Sequence, residues 1–195
     1  MPESSADDPR ILHDASTGRP ILMAPGRRAR PLLTAPGAEG QACPFCPGSE
    51  AETPPEVDAI RTPESTANEP GWRVRAFSNL YPAAARHEVI AEGAEHTQQP
   101  SELPATLWQD ALTLYQRRIR SIESDPQCCY AFLFKNVGQP AGASIAHNHS
   151  QILGLPFLPP RLELERDHAR AASACIWCDE ACAAASEGGQ VVACG

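Results

Sequence analysis

Short apolar runs separated by proline- and glycine-rich breaks recur along much of the chain. Four of them have the length of a strand: Ile21–Ala24, Trp72–Phe77, Glu88–Ala91 and Tyr130–Phe134. Short apolar runs bounded by turn-forming residues are typical of β-strands. The pattern therefore predicts a sheet of short strands.

One longer segment, Leu103 to Ser124, has helical spacing instead. Its apolar positions are Leu103, Leu107, Ala111, Leu114, Tyr115, Ile119 and Ile122. Recurrence every three or four residues places them on one face of an α-helix. Ser101 lies just ahead and predicts an N-cap, because its hydroxyl can accept a hydrogen bond from a first-turn amide.

The segment after this helix is predicted to form a hairpin. "CCYAFLFKN" is the first strand, "VGQPAG" the turn and "HNHSQIL" the second strand. Prolines 156, 159 and 160 then end the hairpin, since proline cannot extend a central strand. An antiparallel sheet with one long helix packed on it is an α+β fold.

Composition and charge narrow the class of protein. The chain has 195 residues, 42% hydrophobic and 21% charged, which is typical of a globular protein. A formal net charge of -8 argues against nucleic acid as a partner, because neutralising a phosphate backbone needs a basic surface. The sequence has neither an 18-residue apolar stretch nor a charged-then-apolar export signal, so we expect no membrane association and a cytoplasmic location.

Two cysteine pairs share a two-residue spacer, "CPFC" at Cys43 and Cys46 and "CIWC" at Cys175 and Cys178. In a reducing compartment, such pairs favour metal ligation over disulfides. "CPFC" is a common half of a tetrahedral zinc site, although a pair of structural cysteines is the alternative. His147 and one of His87 or His96 can complete it as a closed, structural site.

His147, His149 and Gln151 alternate along the second hairpin strand, so we expect them on one face, roughly 6.6 Å apart. Two cationic imidazoles in one cleft would repel, which favours one histidine for a metal and the other for catalysis. His149 follows the loop "NVGQPAGAS", whose exposed amides suit phosphate oxygens, although a simple tight turn is the alternative. A neutral imidazole facing phosphorus can form a phosphorus–nitrogen intermediate.

Two other groups of residues have less definite interpretations. The arginines in "GRRARP" form a local positive cluster in an acidic chain, which is either functional or a solvated loop. His13 and His168, and His87 if His96 completes the metal site, are interpreted as surface or internally hydrogen-bonded side chains.

Several motifs together resemble a known family. "NVGQPAGASIAHNHSQILGLP" resembles the active-site hairpin of galactose-1-phosphate uridylyltransferases, which belong to the histidine triad superfamily. "CPFCPGSEAETPPE", "RVRAFSNLYPA", "HEVIAEGAEH" and "APGRRARP" resemble other motifs of the family. "HNHSQ" in place of H-P-H-x-Q is closer to the branch that includes ADP-glucose phosphorylases, which leaves the base and the acceptor open.

The resemblance implies a role for individual residues. Zinc would be held by Cys43, Cys46, His96 and His147. His149 would be the nucleophile, with Gln151 and Ser144 on phosphate oxygens. The implied contacts to nucleotide, phosphate or sugar are Asn79, Asn136, Gly142, Arg27 and Arg30.

The implied reaction is ping-pong transfer of a nucleoside monophosphate from a nucleotide sugar to a hexose 1-phosphate through nucleotidyl-His149. One alternative is a phosphorylase or hydrolase of ADP-glucose or dinucleoside polyphosphates. The other is a shortened zinc-binding paralogue without activity. The resemblance also implies a homodimer.

Three segments are expected along the chain: a flexible segment at 1–19, the histidine-triad-like domain at 20–160, and at 161–195 the start of an incomplete second half. Cys175 and Cys178 match the start of a second zinc site in that half. No histidine follows His168, so we expect one zinc per chain, although Cys182 and Cys194 are alternative ligands for a second one.

Overall fold

A five-stranded antiparallel sheet with a long helix against one face organises the computed structural model, which describes residues 5–30, 42–97 and 99–187. The chain divides into two compact units, Met1–Phe157 and Leu158–Gly195. The strands are β1 Arg10–His13, β2 Pro20–Met23, β3 Glu56–Arg61, β4 Trp72–Ser78, β5 Arg86–Glu92, β6 Tyr130–Phe134 and β7 His149–Leu155. The helices are α1 Ala105–Glu123, α2 Pro160–Ala171 and α3 Ile176–Glu187.

The large sheet has the order β3-β4-β5-β7-β6, and β1 and β2 form a separate hairpin. All four strand pairs of the large sheet are antiparallel. β7 lies between β5 and β6, with Ala91 opposite His149 and Val89 opposite Gln151. The predicted α+β class and the antiparallel hairpin of β6 and β7 are confirmed.

The two faces of the sheet bury different clusters. Toward α1 the core contains Val74, Ala76, Ile90, Ala111, Leu114, Tyr115, Ile122, Ala131 and Ile152. Each fully buried leucine or isoleucine contributes about 1.5–3 kcal/mol, so this cluster holds α1 on the sheet. The other face carries an aromatic cluster: Phe45, Trp72, Phe77, Val89 and Ala91. Side chains alternate across a strand, so Ile90 and its neighbour Val89 enter opposite clusters.

Two local predictions were wrong. Ser101 is not the N-cap of α1, because it lies in a 3-10 turn at Pro100–Glu102 and the helix begins at Ala105, after Pro104. The second hairpin strand begins at His149 rather than His147. The Asn148 carbonyl still accepts from the Glu92 amide of β5 at 3.0 Å, but the Asn148 amide donates to the Thr97 carbonyl at 2.7 Å, so the ladder ends here.

Two glycines shape the loop before β7, and a third allows β7 to pack. Gly138 and Gly142 have φ of 75° and 84°, a left-handed conformation that other residues adopt at a cost. A Cβ on Gly154 would lie 2.6 Å from the Cys128 sulfur and 2.8 Å from the Arg86 Cβ. Close approach of β7 to its neighbours therefore requires glycine at position 154.

Within the described ranges, no helix combines the length and apolar character needed to cross a bilayer.

Candidate active site and metal centre

Four side chains converge beside the aromatic cluster. Cys43 and Cys46 come from the loop before β3, His96 follows β5, and His147 precedes β7. Their ligand atoms all lie within 4.8 Å of one another. Cys46 Sγ is 3.3 Å from His96 Nδ1 and 3.5 Å from His147 Nδ1. These residues could hold a metal ion.

The surroundings orient the His147 ring for this role. Its Nε2 donates to the Gly93 carbonyl at 2.9 Å, so Nδ1 keeps a lone pair on the side of the cysteines. Such a second-shell bond to a carbonyl is usual for a metal-binding histidine. Burial lowers the pKa of His147 to about 4, which favours the neutral ring that a metal requires. His87, the alternative ligand considered from sequence, lies outside this group.

A cavity of about 620 Å³ opens next to the four side chains. Five residues predicted for the site line it: Arg30, Asn79, Ser144, His149 and Gln151. Its apolar wall is formed in part by Phe45, Phe77 and Val89. A mixed lining of this kind, with a few convergent polar groups, is typical of a small-molecule site.

His149 is buried, and a hydrogen bond to the backbone fixes the orientation of its ring. Nδ1 donates to the His147 backbone carbonyl at 2.8 Å. The proton of a neutral ring is therefore on Nδ1, and Nε2 keeps its lone pair. Burial lowers the pKa of His149, which favours this neutral form. A neutral imidazole with an available nitrogen beside a cavity can act as a nucleophile.

Gln151 has two partners in the cavity wall. His87 Nε2 lies 2.9 Å from Gln151 Oε1, and Asn79 Nδ2 donates to the same oxygen at 3.4 Å. Sequence left open whether His87 is a surface or an internally hydrogen-bonded residue; it is internally hydrogen-bonded, and the residue is 4% exposed. Its contact with Gln151 was missed by the sequence interpretation. Strand alternation was the available signal, because His87 shares a face of β5 with Val89 and Ala91.

Three predicted site residues lie elsewhere among the described residues. Arg27 does not line the cavity, and its guanidinium donates to the Tyr81 carbonyl at 2.5 Å. Asn136 and Gly142 are also outside the lining, and lie near each other, because a Cβ on Gly142 would be 3.8 Å from Asn136 Nδ2. Their roles in substrate binding stay predictions.

A buried polar network lies on the opposite face of β7. Lys135 Nζ donates to Asn148 Oδ1 at 2.8 Å and forms an ion pair with Glu92, which is 0% exposed. The Tyr115 hydroxyl hydrogen-bonds the same carboxylate and lies 2.9 Å from Ser150 Oγ. Asn148 and Ser150 thus alternate along the chain with the cavity-lining His149 and Gln151. The network therefore packs on the face of β7 that is opposite the cavity.

Comparison with known proteins finds relatives by sequence. No protein-family model matches the chain. An ADP-glucose phosphorylase from Arabidopsis thaliana is 31% identical over 154 residues, 66% of this chain and 42% of the relative. A galactose-1-phosphate uridylyltransferase from Thermotoga maritima is 28% identical over 120 residues, 58% of this chain and 38% of the relative. The chain thus spans less than half the length of either relative.

Solved structures of the same two classes of protein resemble the fold of this chain. An ADP-glucose phosphorylase from Arabidopsis thaliana with bound ADP-glucose has a TM-score of 0.61 at 31% identity, covering 89% of this chain and 58% of that chain. A uridylyltransferase structure has a TM-score of 0.63 at 27% identity, covering 87% of this chain and 54% of that chain. By sequence and by structure, the chain is thus similar to galactose-1-phosphate uridylyltransferases and, at 31% identity, to an ADP-glucose phosphorylase.

Proposed function

We propose that this chain transfers a nucleoside monophosphate from a nucleotide sugar through a covalent bond to His149. Nε2 attacks the α-phosphorus, a nitrogen–phosphorus bond forms, and the bond from that phosphorus to the bridging oxygen breaks. The electron pair leaves with sugar 1-phosphate. An oxygen of the acceptor, a sugar 1-phosphate or inorganic phosphate, then attacks the same phosphorus, the nitrogen–phosphorus bond breaks, and Nε2 regains its lone pair.

The observation that carries the proposal is the hydrogen bond from His149 Nδ1 to the His147 carbonyl, 2.8 Å long. It leaves Nε2 as the basic nitrogen of a ring that lines the cavity. Gln151 and Ser144 line the same cavity and would bond phosphate oxygens. Removing one such donor typically costs about 100- to 1000-fold in rate, because it stabilises charge that develops in the transition state.

The acceptor has two candidates. A hexose 1-phosphate would make the reaction that of a UDP-glucose–hexose-1-phosphate uridylyltransferase, the type of the Thermotoga maritima relative. Inorganic phosphate would make it a phosphorolysis of ADP-glucose. The likeness to an ADP-glucose phosphorylase in both sequence and structure favours this second candidate.

The remaining residues have proposed roles around this step. Zinc would be held by Cys43, Cys46, His96 and His147, since two thiolates and two imidazoles suit a tetrahedral structural site. Asn79 and Arg30 would contact the nucleotide or the sugar phosphate from the cavity wall. Arg27, Asn136 and Gly142 are proposed as further contacts. Residues 20–160 would form the catalytic domain, and two copies of the chain would form a homodimer.

The test uses UDP-glucose and ADP-glucose, each carrying radioactive phosphorus at the α-position. We expect acid-labile, alkali-stable label on the protein from at least one donor. His149→Ala should take no label, whereas His13→Ala, which changes an exposed histidine on β1, should take as much as wild type. Chasing the labelled protein with glucose 1-phosphate, galactose 1-phosphate or inorganic phosphate identifies the acceptor. A folded, metal-bound protein that takes no label from either donor would support the non-catalytic alternative.

A further inference from the structure

His87 has both ring nitrogens engaged inside the protein. The Ala83 backbone amide donates to its Nδ1 at 2.9 Å. Its Nε2 lies 2.9 Å from Gln151 Oε1, across 64 residues of sequence. His87 is not among the four side chains of the candidate metal centre.

The contact with Ala83 decides which tautomer the ring adopts. A backbone N–H can only donate, so Nδ1 must accept with its lone pair. The proton of a neutral ring is then on Nε2, and this nitrogen is a donor. Its partner on Gln151 must be an acceptor, which is the amide oxygen.

Asn79 also requires the amide oxygen of Gln151 as its acceptor. The Tyr81 backbone amide donates to Asn79 Oδ1 at 2.8 Å, so the other end of that side chain is the Nδ2 donor. Asn79 Nδ2 points to Gln151 Oε1 at 3.4 Å. It also lies 3.1 Å from His87 Nε2, but two donors cannot bond each other. Two donors, each fixed by a backbone amide, thus converge on one oxygen.

We infer that His87 is a positioning residue that fixes the amide of Gln151 with its oxygen in the wall and its nitrogen toward the cavity. Gln151 lines the cavity, and its amide nitrogen has no partner among the described residues. It therefore presents two N–H donors rather than an acceptor, as a bound phosphate requires. The inference rests on the proposed function, since it assigns how Gln151 meets the transferring phosphoryl group.

Burial keeps the His87 ring neutral. Burial is the main reason that the pKa of His87 is lowered to about 4, and the positive charges of Arg27 and Arg30 act in the same direction. The hydrogen bond to Gln151 and the negative charge of Glu88 oppose them. In a protonated ring, the N–H at Nδ1 would face the N–H of Ala83, and two donors cannot bond each other. The hydrogen-bond geometry therefore also favours the neutral ring.

A double-mutant cycle tests the positioning role, with His87→Phe, His87→Gln and Gln151→Ala, alone and combined. The readout is the single-turnover rate of His149 labelling at saturating nucleotide sugar, together with the dissociation constant of the donor. We expect His87→Phe to slow labelling about 10- to 100-fold, because a misoriented donor loses part of the stabilisation it gives the transition state. The dissociation constant should change about threefold or less, because the contact acts mainly in the transition state.

Two comparisons separate positioning from a general structural role. In the Gln151→Ala background, His87→Phe should slow labelling by no more than about threefold, since interacting residues are not additive. His87→Gln restores an amide donor near the Nε2 position and should stay within about fivefold of wild type. Equal effects of His87→Phe in both backgrounds would overturn the inference, as would a His87→Gln variant as slow as Gln151→Ala.

Nitrogen NMR of the histidine rings gives an answer that does not depend on activity or on the His87→Phe variant folding. Near neutral pH, the His87 signals should show a protonated Nε2 and an unprotonated Nδ1. The opposite tautomer, or a positively charged ring, would overturn the inference even if labelling is normal. If the wild-type protein takes no label, the proposed function fails, and the NMR result alone decides the place of His87.

Discussion

The ring of Phe45 lies edge-on to the imidazole of His149, with centroids 5.2 Å apart and planes inclined by 75°. Phe45 belongs to the "CPFC" loop, between Cys43 and Cys46. The loop that supplies half of the candidate metal ligands thus also packs on the proposed nucleophile. The ring of Phe45 also contacts Phe77, which ties it to β4.

Phe45→Ala should separate the two functions of this loop. Phe45 is 8% exposed, and truncating a buried phenylalanine usually costs about 3–5 kcal/mol. We expect a lower free energy of unfolding and slower labelling of His149, with metal content close to wild type because the four ligands remain. Phe132→Ala is a control at a 40% exposed ring on β6 and should change labelling little. If the Phe45→Ala variant is labelled as fast as wild type, the packing of Phe45 on His149 does not affect the reaction.

Metal content tests the four-residue centre. Cys43→Ser should lose the bound zinc and much of the stability, because a structural zinc contributes folding free energy on the order of 10 kcal/mol. Elemental analysis of the purified protein should give about one zinc per chain in wild type, in line with four ligands. Cys129→Ser, at an exposed cysteine just before β6, should keep it. Two tightly bound zinc ions, or full retention of zinc by Cys43→Ser, would contradict the assignment.

The ion pair behind β7 should be costly to break. Lys135→Met leaves the fully buried Glu92 carboxylate without its cation, and removing one partner of a buried pair typically costs about 3–5 kcal/mol. Arg161→Met removes one partner of an exposed pair on α2 and should cost less than about 1 kcal/mol. Urea unfolding measures both. Equal midpoints for the two variants would show that the buried pair does not support the sheet.

Stability should depend on pH through His87. Its pKa is lowered from 6.5 to about 4 in the folded protein, chiefly by burial. Between these values the unfolded chain binds a proton that the folded chain does not, so the free energy of unfolding falls as the pH falls from 6.5 toward 4. The lowered pKa of His87 corresponds to about 3 kcal/mol of folding stability. This contribution is present in full above pH 6.5 and is lost as the pH falls to 4.

His87→Gln is the control for that dependence, since glutamine does not titrate. Urea unfolding from pH 7 down to pH 4 should show a smaller loss of stability in His87→Gln than in wild type, with the difference confined to the acidic part of the series. Parallel curves for the two proteins would mean that His87 titrates alike in the folded and unfolded states.

The sequence predicted the elements whose signals are periodic and the ligands whose chemistry is distinctive. α1 was predicted within two residues at its start, because its buried face, which includes Leu114 and Ile122, repeats at helical spacing. The four side chains of the candidate metal centre were predicted from cysteine spacing and resemblance, although Cys46 and His147 are 101 residues apart. These predictions needed no knowledge of side-chain contacts.

What the sequence missed depends on the local backbone and on strand register. The N-cap at Ser101 was wrong because Pro100 and Pro104 impose their own backbone geometry ahead of the helix. The contacts of His87 depend on the register of β5 against β7 and on an amide donor from Ala83. No spacing rule encodes those contacts.

Peptide mass spectrometry of the protein after incubation with each nucleotide sugar tests the covalent step most directly. Digestion at neutral or alkaline pH should yield one modified peptide, carrying a single nucleoside monophosphate on His149, and addition of the acceptor should remove the modification. Modification of another residue, or none with either UDP-glucose or ADP-glucose while the protein remains folded, would contradict nucleotidyl transfer through His149.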